Sequence, residues 1–376
     1  MKKNVHAKGM RLAALVLAAA IVLSLAGCGG QKPAAGSAEP AGSAAQTIQP
    51  ATAETWMFTD DAGREVEVPG EITRIVPSAP LAQIILYAIA PDLFVGLAAE
   101  WYDSARGIVD DGQFDLPCFG SLYASADLNV EELALTDPQL IIDIGDEKGS
   151  AAEDMDALQR QTGIPSVFIS ATLETMPQTY RTLGKLLGRE DRGEELAQFC
   201  ERIYTRTTSI MDEVGENKVK ALYVLGQEGL NVLAKGSYHA ELLDLLTDNA
   251  AVVDSPISKG TGNAVTMEQI ALWDPEFVIF APDSIYDTVE ETATWNQVTA
   301  IVNGAYVRVP DAPHNWMSMP PSVQRYLGLI WLTAQLYPEH CDYDVKEDIL
   351  EYYRLFYGCE LTEEQYAAIT EGAFCQ

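Results

Sequence analysis

NVEELALTDPQLII at residues 129–142 aligns without a gap to TMEQIALWDPEFVI at residues 266–279. In each copy a capping pair opens a short helix: Asn129 with Glu132, and Thr266 with Gln269. Asp137-Pro138 and Asp274-Pro275 then end it, because proline biases the residue before it towards extended backbone. Leu140-Ile141-Ile142 and Phe277-Val278-Ile279 follow as short apolar runs, the pattern of strands buried on both faces. One helix–turn–strand unit used twice predicts two similarly built lobes. Each copy also places a glutamate at the second helical position, Glu131 and Glu268. Neither capping nor core packing requires them; they either favour the positive end of a helix dipole or face a partner.

The flanks agree with this unit. Arg74–Val76 reads as a strand, Pro80–Ala90 as a helix and Leu93–Ala98 as a second strand. Beyond the first copy come a strand over Leu140–Ile144, a helix over Ala151–Thr162 and a strand over Ser166–Ile169. Short buried strands alternating with helices point to a parallel α/β sheet. From Leu173 to Val214 the pattern is helical almost throughout, with breaks left open at Pro177 and Gly188, and alternation resumes at Val219–Val224. A long helical segment between two α/β blocks predicts a stiff connection.

Composition sets the outer bounds. A chain of 376 residues with 48% hydrophobic content has material for two domain cores. Lys+Arg 24 against Asp+Glu 55 gives a net charge of −31, which argues against general binding to nucleic acid. Four histidines leave little for a multi-histidine metal cage, and no intrinsic metal site is assigned.

The first 27 residues read as a signal peptide: a basic start (Lys2, Lys3, Lys8, Arg11), an apolar run over Leu12–Leu25, then small residues before Cys28. The run is too short for a membrane span, which needs ~20 apolar residues. Leu25-Ala26-Gly27-Cys28 resembles a bacterial lipobox, in which cleavage leaves Cys28 as the lipidated first residue. Residues 28–55, rich in Ala, Gly, Ser, Pro and Gln, are expected to be a flexible tether. The chain is therefore expected at the cell membrane, lipid-anchored on the extracytoplasmic face. Cys118, Cys200, Cys341, Cys359 and Cys375 show no C-x-x-C spacing; disulfides are open to them, most of all among the last three.

With TDDAGREVEVP at 59–69 and ITRIV at 72–76, the chain resembles solute-binding proteins of the helical-backbone class, which serve importers of ferric siderophores, haem and vitamin B12. Both repeat copies are similar to that family's Glu-x-[Leu/Ile]-x-x-Leu-x-Pro-Asp signature, with Asp-Pro standing where Pro-Asp is usual, and WNQVTAIVNGAYVRVP at 295–310 resembles its late helix-and-strand segment. The resemblance covers about 56–337. It implies an α/β fold of two Rossmann-like lobes, 56–172 and 215–337, joined by a long rigid helix over 173–214, with a ligand cleft between them. Residues 338–376 look like an added C-terminal helical extension. It also implies an ABC permease dimer with its ATPase as partner, with Glu131 and Glu268 docking on its two subunits, and a monomeric receptor.

The loops after the strands line such a cleft. They carry Trp101, Tyr102, Tyr123, Tyr238, His239, His314 and Trp316, which are the expected cargo contacts, although ordinary packing is open to each aromatic. The cargo is expected to be a metal chelate: a ferric siderophore, haem or a corrinoid. Outside the long helical segment the arginines available to an anionic cargo are Arg106, Arg308 and Arg325, and their scarcity counts against a catecholate. An enzyme is disfavoured, since no phosphate-binding glycine loop and no Gly-x-Ser-x-Gly elbow is present and no catalytic residue is assigned. A free transition-metal binder of the same fold and a sensory surface lipoprotein are the alternative readings.

Overall fold

The computed structural model describes residues 54–122 and 130–375, so Cys28, Tyr123 and Asn129 lie outside the described residues. An antiparallel hairpin, β1 (Thr55–Thr59) and β2 (Glu65–Pro69), precedes the first lobe. That lobe contains β3 (Ile75–Pro77), α1 (Pro80–Ile89), α2 (Val130–Leu135), β4 (Leu140–Gly145), α3 (Ala151–Thr162) and β5 (Ser166–Ser170). Its three strands form a parallel sheet in the order β3-β4-β5.

Helices α4 (Met176–Leu187) and α5 (Glu190–Val214) lead to the second lobe. This holds β6 (Lys220–Leu225), β7 (Asn231–Val232), α6 (Glu241–Leu246), β8 (Asp248–Asn249), β9 (Asn263–Ala264), α7 (Met267–Trp273), β10 (Phe277–Phe280), α8 (Thr299–Val302) and β11 (Tyr306–Arg308). The sheet order is β11-β10-β6-β7-β9, with β8 also on β6. The repeat is visible in the pairing. β4 lies between parallel β3 and β5, and β10 lies between parallel β6 and β11. Both repeat helices end on an aspartate with positive φ, Asp137 at 50° and Asp274 at 43°, a backbone that aspartate tolerates better than most residues. At the second copy the expected capping box of Thr266 and Gln269 is formed.

The chain closes with α9 (Arg325–Leu336), α10 (Val345–Tyr357) and α11 (Glu363–Ile369). Strand side chains alternate between local and shared cores. Val76, Ile141 and Phe168 face a core belonging to the first lobe, and Leu222, Val224, Val278 and Phe280 face one belonging to the second. Ile75, Ile142 and Ile169 join Ala221, Tyr223 and Ile279 in a third, continuous core that also takes in α5, α9 and α10. Helix α9 is buried from Arg325 through Thr333 without interruption, as a helix enclosed on all sides must be.

Two expectations change in detail. The run Leu93–Ala98 makes only two isolated parallel bridges, Ile75–Phe94 and Leu97–Cys118, because its amides alternate between partners (Val95 to the Ile75 carbonyl, Leu97 to that of Pro117) and no ladder extends. The segment 173–214 is two helices. Gly188 ends α4 at φ 65°, while Pro177 sits in the first turn of α4, where its missing N–H breaks no hydrogen bond. All five described cysteines are free thiols. Cys359 contacts the Gly107 carbonyl at 3.4 Å and Cys375 lies against that of Tyr306 at 4.0 Å, so the C-terminal three are spread over different elements.

The turn between α4 and α5 depends on a glycine crossing. A Cβ on Gly193 would stand 2.6 Å from the Tyr180 carbonyl oxygen and 3.0 Å from the Cα of Gly184, so both helices approach through bare backbone. Gly193→Ala is expected to destabilise the fold by ~1–3 kcal/mol, read as a lower urea midpoint at unchanged slope. A wild-type midpoint would show that the crossing relaxes freely.

Candidate functional site

In the second lobe the chain leaving β10 and the end of β11 face the first-lobe segment 104–108, on the side of the second sheet where open α/β sheets hold ligands. Here a cavity of about 390 Å³ opens between the lobes. The first lobe contributes Ser104, Arg106 and Ile108, and the end of β11 with the segment after it contributes Arg308 to Ala312. Arg106 stacks over the Phe114 ring at 4.3 Å and meets the exposed Asp103 at 3.4 Å. Arg308 stacks over Tyr286 at 5.2 Å and meets the exposed Asp287 at 3.3 Å. Ion pairs with such exposed acids are weak and give way readily to a ligand carboxylate, phenolate or oxyanion. Burial, followed by the charge of Asp283, pushes the Asp311 carboxyl on the cavity wall up to about 6.

Beside this cavity, Trp101 and Tyr102 of the first lobe close on His314 of the second, with ring centroids 5.5 and 5.8 Å apart. Tyr102 is 62% exposed, whereas Trp101 and His314 are each only 6% exposed. Neither nitrogen of His314 has a hydrogen-bond partner, nor does the indole N–H of Trp101. Burial alone holds the His314 pKa down at about 4.

Further along the seam, Tyr238 and His239 are already engaged. The Tyr238 hydroxyl donates across the lobes to the Ala171 carbonyl at 3.0 Å, and burial pushes its pKa up to about 12. Its ring covers the guanidinium of Arg325 at 5.1 Å. His239 Nδ1 is 2.9 Å from the Ser318 carbonyl. Arg325 is fully buried, pairs with Glu241 at 2.5 Å and leaves Nη2 without a partner.

Trp316 departs from expectation. It is fully buried, edge-on to Trp331 at 6.3 Å, with its N–H 3.4 Å from the Tyr353 hydroxyl. The cause is the preceding residue. Asn315 Oδ1 accepts from the amides of Met317 (2.8 Å) and Ser318 (3.1 Å), and its Nδ2 donates to Tyr223, so the turn is tied down on the core and Trp316 packs there. Trp316 is a core residue, not a cleft contact.

Of the expected contacts, the structure thus brings Trp101, Tyr102 and His314 together, groups Tyr238 with His239 and Arg325, and removes Trp316. Sequence reasoning missed Asp311 and the C-terminal Gln365 and Glu371 on the cavity wall. Asp311 could have been found, since it follows a strand of the second lobe; the other two carried no signal. Among the described residues no group of three or more His, Cys, Asp or Glu side chains is placed to hold a metal ion. Among them too, no helix is long and apolar enough to cross a membrane.

Two α/β lobes on a helical connection, with a cavity between them, define a two-lobed solute-binding protein. The sequence model described as periplasmic binding protein matches residues 121–313, and the chain belongs to that family. Among solved structures, an ABC transporter solute-binding protein from Sulfurospirillum deleyianum is 26% identical with a TM-score of 0.77, covering 84% of this chain and 99% of its own. A periplasmic solute-binding protein from Veillonella parvula (24% identity, TM-score 0.69, 85% and 98% covered) and the molybdate-binding MolA of Haemophilus influenzae (18%, 0.65, 82% and 99%) share the fold. No curated protein matches the chain.

The buried imidazole gives a pH prediction. Folded His314 stays neutral down to about pH 4, whereas in the unfolded chain it takes up a proton near ~6.5. The unfolded state therefore binds more protons between these values, and stability falls as pH drops through that window, by about 3 kcal/mol in full. Urea unfolding of wild type and His314→Asn between pH 7 and 4 should show the stability of wild type falling relative to the variant towards acid. The opposing titration of Asp311 is common to both proteins and cancels in the difference; parallel curves would contradict the assignment.

Proposed function

We propose that this chain is the receptor of an ABC importer, tethered outside the membrane through a lipidated Cys28, and that it captures a compact anionic metal chelate between its lobes. One observation carries the choice of cargo: Arg106 and Arg308, from opposite lobes, line the same cavity. Arginine is scarce in this acidic chain, and two of the three arginines available to the cleft meet there. That placement outweighs the argument from scarcity against catecholates and favours anionic ferric chelates over neutral corrinoids. The volume of about 390 Å³ lies near the lower end of the ~300–1,000 Å³ usual for ligand sites, which favours compact cargo. Tryptophan quenching against a ferric catecholate, a ferric hydroxamate, haemin, cobalamin and molybdate is the direct test. Arg106→Ala and Arg308→Ala should each weaken binding of the best anionic probe about tenfold to a hundredfold, the worth of a charge-assisted hydrogen bond. Unchanged affinity in both variants would remove the anionic reading.

The proposed docking faces are the two repeat helices. Glu131 and Glu268 are both exposed in the first turn of their helices. One turn further on stand Leu135 and Leu272, 85% and 83% exposed, at matching positions of the repeat. A single exposed leucine is ordinary, but the same glutamate–leucine pair on both lobes suits a partner with two equivalent subunits. Glu131→Arg combined with Glu268→Arg should abolish uptake and ATPase stimulation while leaving cargo titrations unchanged. Normal uptake with a stability loss of only ~0.3–1 kcal/mol per site would return both residues to a helix-dipole role.

A further inference from the structure

The cavity has a third wall, and it comes from neither lobe. Helix α11 and the turn after it bring Gln365, Ala368, Ile369 and Glu371 onto the cavity. This segment is fastened at both ends. On the first-lobe side, Gln365 Nε2 donates to the Gly107 carbonyl at 3.4 Å, and Cys359 Sγ reaches the same oxygen at 3.4 Å. Gln365 Oε1 meanwhile accepts the Thr362 amide at 2.9 Å, so the capping box fixes the side chain that makes the crossing. On the second-lobe side, the Arg308 amide donates to the Gly372 carbonyl at 2.9 Å, and Arg308 Nη2 to that of Glu371 at 3.2 Å. The Trp331 indole donates to the Ala373 carbonyl at 2.6 Å, and Ala373 is fully buried in the shared core.

The two ends differ in strength. Three shorter hydrogen bonds and a buried residue hold the second-lobe end, whereas two long contacts to one carbonyl hold the first. Between them, α11 has seven residues, none of them fully buried; Tyr366 and Ile369 rest partly buried on the shared core. Lys346 of α10 pairs with the exposed Glu363 at 2.6 Å and covers the Tyr366 ring at 5.0 Å, so α11 rides on α10 while the Gly107 contacts tie it to the first lobe. A helix so short has little stability of its own in water.

We propose that residues 359–373 form a strap across the cavity that selects cargo by size, being anchored on Trp331 and Arg308 and releasable at Gly107. The proposal rests on the cavity being the cargo site. Cargo that fits beneath the strap gains a wall and a slower exit. A larger planar metallo-macrocycle must break the Gly107 contacts to enter. Ala368 and Gln365 are then specificity-determining residues, though neither belongs to the two lobes that form the cleft.

The test uses the full-length protein with molybdate and a ferric catecholate as compact probes and haemin as the large one. Ala368→Trp, at an exposed position of α11, should fill the cavity and weaken the compact probes at least tenfold with unchanged melting. Gln365→Ala should speed their dissociation severalfold and raise relative affinity for haemin. Wild-type behaviour in both variants, while Arg106→Ala has lost binding, would overturn the strap and leave the cargo site standing. Hydrogen exchange supplies an arm that needs no ligand. Gln365→Ala should raise exchange across residues 103–109 at least tenfold and leave α5 unchanged. Exchange at the wild-type rate there would overturn the coupling even if none of the probes binds.

Discussion

The continuous core beneath the cleft is the constraint on which the rest of the molecule depends. Ile142 in the first sheet and Ile279 in the second belong to the same apolar cluster, with α5, α9 and α10 filling the space between. Each sheet therefore has a private face and a shared face. Opening the lobes widely would expose shared-face residues at ~25 cal/mol per Å², so hinge motion is resisted by the same packing that makes the domain fold. Polar ties reinforce it. Tyr326 donates to the Leu173 carbonyl at 2.6 Å, Ser322 to that of Leu81 at 3.0 Å, and Glu241 accepts the Leu173 amide at 2.9 Å while holding Arg325.

That arrangement explains why the seam is chemically uneven. At the Arg325 end, the guanidinium is held by Glu241 and the Tyr238 hydroxyl by the Ala171 carbonyl, leaving Arg325 Nη2 as a buried donor still without a partner. At the Arg308 end, the guanidinium groups face weakly bound exposed acids and an open cavity. The middle is sealed by rings, with Trp101 on His314. A buried imidazole with no hydrogen bond at either nitrogen is costly, and its neighbourhood is where binding can recover what folding has lost.

Much of this was legible in the chain, for reasons that can be located. The repeat works because Asp-Pro stops a helix and an apolar run must then be buried, both local effects; the predicted strands over 140–144 and 166–169 and the helix over 151–162 accordingly match β4, β5 and α3. Leu93–Ala98 misled because its composition suits a strand while its partners, set by tertiary placement, permit only bridges. Trp316 misled for a similar reason: its loop follows a strand at the cleft, yet the hydrogen bonds of Asn315 tie that loop to the core. The three arginines could be named from sequence but not ranked, because ranking needed to know that Arg106 and Arg308 share one cavity while Arg325 is enclosed. The C-terminal wall was invisible, since nothing in Gln365 or Ala368 announces where a distant helix lands.

Helix α5 spans 25 residues, a beam of about 38 Å at ~1.5 Å per residue. With that beam embedded in a common core, the separation of the two lobes is nearly a fixed ruler. A partner that touches both lobes at once cannot tell a loaded receptor from an empty one by span. What remains for it to sense is tilt: a few degrees of one repeat helix against the other, carried by a body too stiff to report occupancy in any coarser form.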